Sequence, residues 1–139
     1  MENQESRFAD LVNRINELSD EDPISWYKRA DRICKGFSAK THNKRGVKSR
    51  VYIILLKIVS KKQSGYALYV GKTIRSPEER FQQHKDDYKA SRYVKKYGVR
   101  LLPELFEHLN PMSGVEATEL EVSIAEALKK EGVPTYGGH

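Results

Sequence analysis

The stretch "YVGKTIRSPEERFQQH", residues 69–84, gathers side chains that could act together on a phosphate group. If the part after the proline is helical, Arg80, His84 and Tyr88 recur at i, i+4 and i+8 and line one face. Arginine is a permanently charged fork that matches phosphate oxygens. Histidine can share or transfer a proton near neutral pH. Tyr69 stands just before Gly71, and Lys72 and Arg75 just after it, so a phenol and two more cations flank the same short stretch. A second phenol comes from "RVYIILLKIV", where Tyr52 shares its strand face with Ile54 and Leu56. Tyr69 shares a face with Ala67 and Gly71, and two tyrosines on paired strands can meet across a sheet, although packing alone would also explain them. The missing element is an acid. In "GVEATELEVSIAEALKK" a helical wheel puts Ala117, Leu120, Ile124 and Leu128 in one apolar stripe, with Glu121 at its border and Glu119 and Glu126 nearly opposite. A carboxylate held against the protein body needs a partner, and either a divalent metal ion or the Arg80 guanidinium would serve.

Those side chains need elements to hold them. The run 50–59 is rich in β-branched and aromatic residues and reads as a buried strand; "SKKQSG" is a turn, and "YALYVGK" a second strand, giving a hairpin. Ser76-Pro77-Glu78-Glu79 is a helix start, with serine as cap and proline at the first position, and the helix is expected to reach about Lys89. The segment "SRYVKKYGVRLLPELFEHL" holds a short helix or turn, then a strand around Val99–Glu107 that Pro103 interrupts or confines to an edge. Ser113 and Glu116 form a capping box for a helix to about Lys130, ending at Gly132. Upstream, Phe8, Leu11, Val12, Ile15 and Leu18 follow a helical period, and Asp22-Pro23 opens a second helix that ends near Gly36. "SAKTHNKRGVKS" is a basic loop or linker. The expected fold is therefore α/β (α+β), a small antiparallel three-stranded sheet flanked by helices. It divides into a helical and basic extension, residues 1–48, and a domain over residues 49–139.

The charge is unevenly spread. Residues 1–27 carry seven acids and two bases; residues 28–62 carry twelve Lys and Arg against Asp31; residues 63–139 carry eleven of each, for a total of +6. A block this basic suits a polyanion, nucleic acid in the first place, or else a solvated surface. Lys35, Lys40, Lys44, Arg45 and Lys48 are the candidates for backbone phosphate contacts, which position a strand without reading its sequence. The mean hydropathy is -0.70. The longest apolar run, "VYIILL", is six residues, too short to span a membrane. "MENQESRFAD" has no secretory pattern, and the single Cys34 allows neither an internal disulfide nor a cysteine zinc site, so a cytoplasmic protein is expected.

Taken together these motifs resemble the GIY-YIG nuclease family. "RVYIILL" resembles its first strand, "YVGKT" the second half of its name motif, "RFQQH" its Arg–xxx–His, and "ELEVSIAEALKKEG" its last helix. The resemblance covers about residues 49–139. It implies a metal-dependent endonuclease acting on DNA, with Glu121 holding one Mg²⁺ or Mn²⁺. It further implies that Tyr52 takes a proton from the attacking water or positions that water, that Arg80 and Lys72 neutralise charge, and that Tyr69 and His84 orient water and phosphate. Two departures stand out. Arg50 replaces the glycine of the first motif, and the asparagine often found near the family's C-terminus is absent from "PTYGGH", leaving His139 or the backbone in its place. Two rivals follow: a nucleic-acid-binding module of the same fold that is catalytically weak or inactive, and a protein-interaction domain in which residues 1–36 meet a partner helix.

Overall fold

The computed structural model describes residues 23–61, 64–86 and 91–138. The expected first helix, Tyr88 and His139 lie outside the described residues.

The sheet is built on one long hairpin. β1 (Arg50–Val59) and β2 (Ser64–Thr73) pair antiparallel over ten residues, from Arg50 opposite Thr73 to Val59 opposite Ser64. Residues 51–56 of β1 are buried on both faces, which is why the run is apolar without alternating. β3 (Gly98–Leu101) flanks β1 antiparallel, with a bulge between Leu55 and Leu56. β4 (Thr135–Gly137) flanks β2 in parallel. The order is β3-β1-β2-β4. The expectation of three antiparallel strands is thus corrected to a four-stranded mixed sheet flanked by helices. The extra strand is only three residues long and ends in glycine, and Gly137 (φ 80°) and Gly138 (φ 82°) give its end a backbone that side chains would not permit. A Cβ at Gly137 would overlap the Val70 carbonyl, and one at Gly138 the Ala125 methyl.

The third strand is also shorter than expected. β3 stops at Leu101, and Pro103 starts a 3-10 turn, Pro103–Leu105, so the proline ends the strand and β3 is an edge strand as well. α1 (Pro23–Lys35) brings Trp26, Ala30 and Cys34 into the same core as the sheet. α2 (Pro77–Lys85) is capped as expected, Ser76 Oγ accepting from Glu79 N at 3.1 Å, but ends at Lys85, before the expected Lys89. α3 (Arg92–Tyr97) is short, and α4 (Gly114–Lys130) runs the expected length.

The cap of α4 departs from the reciprocal box. Ser113 Oγ accepts from Glu116 N at 3.1 Å, but the Glu116 carboxylate does not turn back to Ser113. It accepts instead from Lys40 N at 2.7 Å, from Thr41 N at 2.8 Å and from the Thr41 hydroxyl. Thr41 Oγ1 in turn accepts from Ser113 N at 2.9 Å. The basic segment is thereby a loop fastened to the start of α4, with further bonds from His42 Nδ1 to Leu109 O (3.1 Å) and from Asn43 N to Pro111 O (2.9 Å).

Asn110 supplies a substitute for a missing strand neighbour. Its side chain accepts from Val51 N at 2.8 Å and donates to Val51 O at 2.7 Å, satisfying both backbone groups of a fully buried residue at the start of β1. Asn110→Ala would leave both unpaired, and the expected loss is about 2–4 kcal/mol in urea unfolding; a loss under about 0.5 kcal/mol would show that water replaces the amide.

Candidate active site

Tyr52 stands directly opposite Gly71 in the hairpin register, and its ring lies across that glycine. A Cβ at residue 71 would overlap the Tyr52 Cζ and Oη. Gly71 lies inside β2, so it is not a turn residue; its service is the space it leaves. Tyr69, opposite Ile54, is then the diagonal neighbour of Tyr52 on the same face, with ring centroids 6.3 Å apart. His84 completes a triangle, its ring centroid 6.1 Å from Tyr52 and 5.9 Å from Tyr69.

The hydrogen bonds define the state of the imidazole. Ser91 N donates to His84 Nδ1 at 2.9 Å, so that nitrogen is an acceptor. The ring proton therefore sits on Nε2, which donates to Tyr52 Oη at 2.9 Å. Burial, and after it the Arg80 charge, pushes the His84 pKa down to about 4, so the ring is a neutral donor at pH 7. The Tyr52 hydroxyl is held above its ordinary value, chiefly by burial and by Tyr69, against a downward pull from the charge and hydrogen bond of Arg80. Tyr69 is raised by burial too, while a hydrogen bond with the Ser91 side chain lowers it. In this arrangement the Tyr52 hydroxyl therefore keeps its proton around neutral pH.

Arg80 and His84 share one face of α2, as their spacing predicts, and Arg80 Nη1 also donates to Gln83 Oε1 at 3.3 Å. Glu121 is 4% exposed on α4, and its charge acts on both phenols. Tyr52, Tyr69 and His84 meet ring to ring, and the charges of Arg80 and Glu121 act on both phenols, so side chains from β1, β2, α2 and α4 share one region. Glu121 is the carboxylate able to hold a metal ion here; among the described residues no group of three or more His, Cys, Asp or Glu could do so. A single buried carboxylate fits Mg²⁺ or Mn²⁺, ions that keep several waters and complete their shell with substrate phosphate.

Ser91 was not among the residues singled out from the sequence. It sits at the cap position of α3, yet its side chain makes no cap bond, being spent on Tyr69 while its backbone holds His84. A serine before a helical run signals a cap in sequence, and nothing there tells which partner it will take.

The expected basic residues fall into two groups. Lys72, directly after Gly71, donates to Thr118 Oγ1 on α4 at 2.6 Å. Arg75 is exposed near the start of α2, 3.7 Å from Glu79. Lys40, Lys44, Arg45 and Lys48 are exposed on the loop fastened to α4. Lys35 stands apart from them, taken up by Asp31 Oδ1 and Glu104 O, both at 2.9 Å. Cys34 is fully buried, its thiol pushed up to about 12 by burial, which leaves it no role as a nucleophile.

Comparison of the chain with protein-family models, curated proteins and solved structures yields no match. Among the described residues no helix is long and apolar enough to cross a membrane.

Two outcomes are expected. By NMR titration His84 stays neutral, with its proton on Nε2, down to about pH 4. The unfolded chain takes up this proton first as pH falls from 6.5 towards 4, so stability drops through that window, by at most about 1.4 kcal/mol per pH unit. A His84 midpoint near 6.5 would contradict the assigned tautomer and burial. Gly71→Ala is expected to push the Tyr52 ring away, removing its bond to His84 and costing about 1–3 kcal/mol; a variant with wild-type stability and His84 chemical shifts would refute that reading of Gly71.

Proposed function

We propose that this protein is a metal-dependent endonuclease that hydrolyses phosphodiester bonds in DNA, by a single-ion mechanism of the GIY-YIG type. The observation that carries the reading is the Tyr52–His84 hydrogen bond, 2.9 Å, inside a cluster where one guanidinium and one buried carboxylate act on the same phenol. Phosphodiester hydrolysis needs a cation for the phosphate oxygens, a polar group that orients water in line, and an anchor for a divalent ion. Arg80, Tyr52 and Glu121 match those needs.

Each residue then has a derivable task. Arg80 holds the scissile phosphate and offsets the charge that grows on its oxygens as water adds. His84 donates through Nε2 to Tyr52 Oη and fixes that hydroxyl, and being neutral it leaves the positive charge at the phosphate to Arg80. Tyr52 Oη accepts from both His84 and Arg80, so its own hydrogen is directed to a further acceptor, a water or a phosphate oxygen. Tyr69, tied to Ser91, forms the neighbouring wall and orients the same groups. Glu121 would hold Mg²⁺ or Mn²⁺, which when bound supplies Lewis-acid charge on a non-bridging oxygen and at the leaving oxygen. The exposed Lys40, Lys44, Arg45 and Lys48 would follow the strand backbone, giving binding that weakens steeply with salt.

Supercoiled plasmid incubated with Mg²⁺ or Mn²⁺ is expected to be nicked, and chelator to stop it. Arg80→Ala and Glu121→Gln should each lower the rate about 100-fold or more while far-UV circular dichroism stays unchanged. Near-normal nicking by both variants would refute the assignment. Salt-sensitive DNA binding with no cleavage under any metal would identify a binding module of the same fold.

A further inference from the structure

A cavity of about 250 Å³ opens between the end of the hairpin and the start of α4, lined by Ser49, Lys72, Thr73, Ile74, Gly114 and Ala117. Its polar side chains are the hydroxyls of Ser49 and Thr73 and the Lys72 ammonium, in a lining that also includes Ile74 and Ala117. Ser49 is 8% exposed, and its hydroxyl makes no hydrogen bond to any described residue. That oxygen lies 3.5 Å from where a Gly114 Cβ would stand, so it faces the first residue of the helix. The first N–H groups of a helix have no partner within it, and among the described residues those of Gly114 and Val115 find no acceptor elsewhere. The Lys72 ammonium stands at the wall, bonded to Thr118 Oγ1. The nearby acid on α4, Glu116, is turned away towards Lys40 and Thr41, which holds its carboxyl below the usual range. A hydroxyl on a largely buried residue, open to the cavity, together with free helix N–H groups and an ammonium, and with no carboxylate among the lining residues, is the complement of an anion.

The cavity also continues from the active-site cluster. Thr73 shares its strand face with Gly71, beneath the Tyr52 ring, and Ala117 lies four residues before Glu121 on one face of α4. Four residues of helix rise about 6 Å, against about 3.4 Å per nucleotide along one strand of a duplex. We propose that this cavity is a second phosphate subsite, taking the backbone phosphodiester one or two nucleotides from the bond that is cut. The anion site follows from the cavity itself; its assignment to a nucleic-acid strand rests on the nuclease reading.

The test uses the full chain in chelator, where no cleavage occurs. Inorganic phosphate at constant ionic strength is expected to shift the Gly114 and Val115 amide resonances saturably, and a short oligodeoxynucleotide to shift the same two at lower concentration. Ser49→Ala should weaken phosphate binding about tenfold. Gly114→Asp, which suits a helix N-terminus but repels an anion, should abolish binding without lowering the unfolding midpoint. Amides that move no more than in chloride, or wild-type phosphate affinity in both variants, would overturn the subsite. A phosphate response that the oligonucleotide does not share would overturn its assignment to a strand. Absent nicking with these shifts intact would count against the nuclease reading alone and leave the subsite standing.

Discussion

The ring of Tyr52 has room only because residue 71, directly across the hairpin, carries no side chain. The rest of the site depends on that clearance. With the ring laid over Gly71, Oη reaches His84 on α2, and His84 is then held from behind by the Ser91 backbone. The hairpin register is what sets the geometry. A one-residue slip would place Tyr52 on the opposite face and scatter the cluster. Ten consecutive pairs and six fully enclosed β1 residues oppose such a slip.

Electrostatics then makes the cluster asymmetric. Burial acts on both phenols and on the imidazole in the direction that favours their neutral forms. The guanidinium of Arg80 lies half-buried on the same helix face as His84. One fixed cation and one buried carboxylate thus face a set of neutral, oriented hydroxyl and imidazole groups. The two phenols and the imidazole stay neutral around pH 7, so their polarity is carried by orientation rather than by titration.

Much of this was legible in sequence because it follows short-range periodicities. Arg80 and His84 are one helical turn apart, Glu121 borders an apolar stripe, and Ser76 and Ser113 precede helices, so each position is fixed by local geometry. What escaped is long-range. β4 is too short and too rich in glycine to show strand character, and it exists because Gly137 and Gly138 let it lie against Val70 and Ala125. The Glu116 carboxylate reads as half of a capping box, but the better acceptor geometry lies with Lys40 and Thr41, some seventy residues away. Ser91 looks like a helix cap, and its backbone holds His84 instead. In each case a tertiary partner outcompetes the local one, and a local pattern carries no trace of it.

The order β3-β1-β2-β4 puts the two ten-residue strands inside the sheet and leaves its borders to strands of four and three residues. Unpaired backbone at a sheet border is what lets one chain zip onto another. Here the stretch most prone to amyloid-like stacking, the apolar run of β1, has both flanks occupied within its own chain. β3 pairs with β1 only at Ile54–Leu56 and β4 with β2 only at Leu68–Val70, so the short outer strands shield the most apolar middle of the hairpin and leave its ends to other contacts.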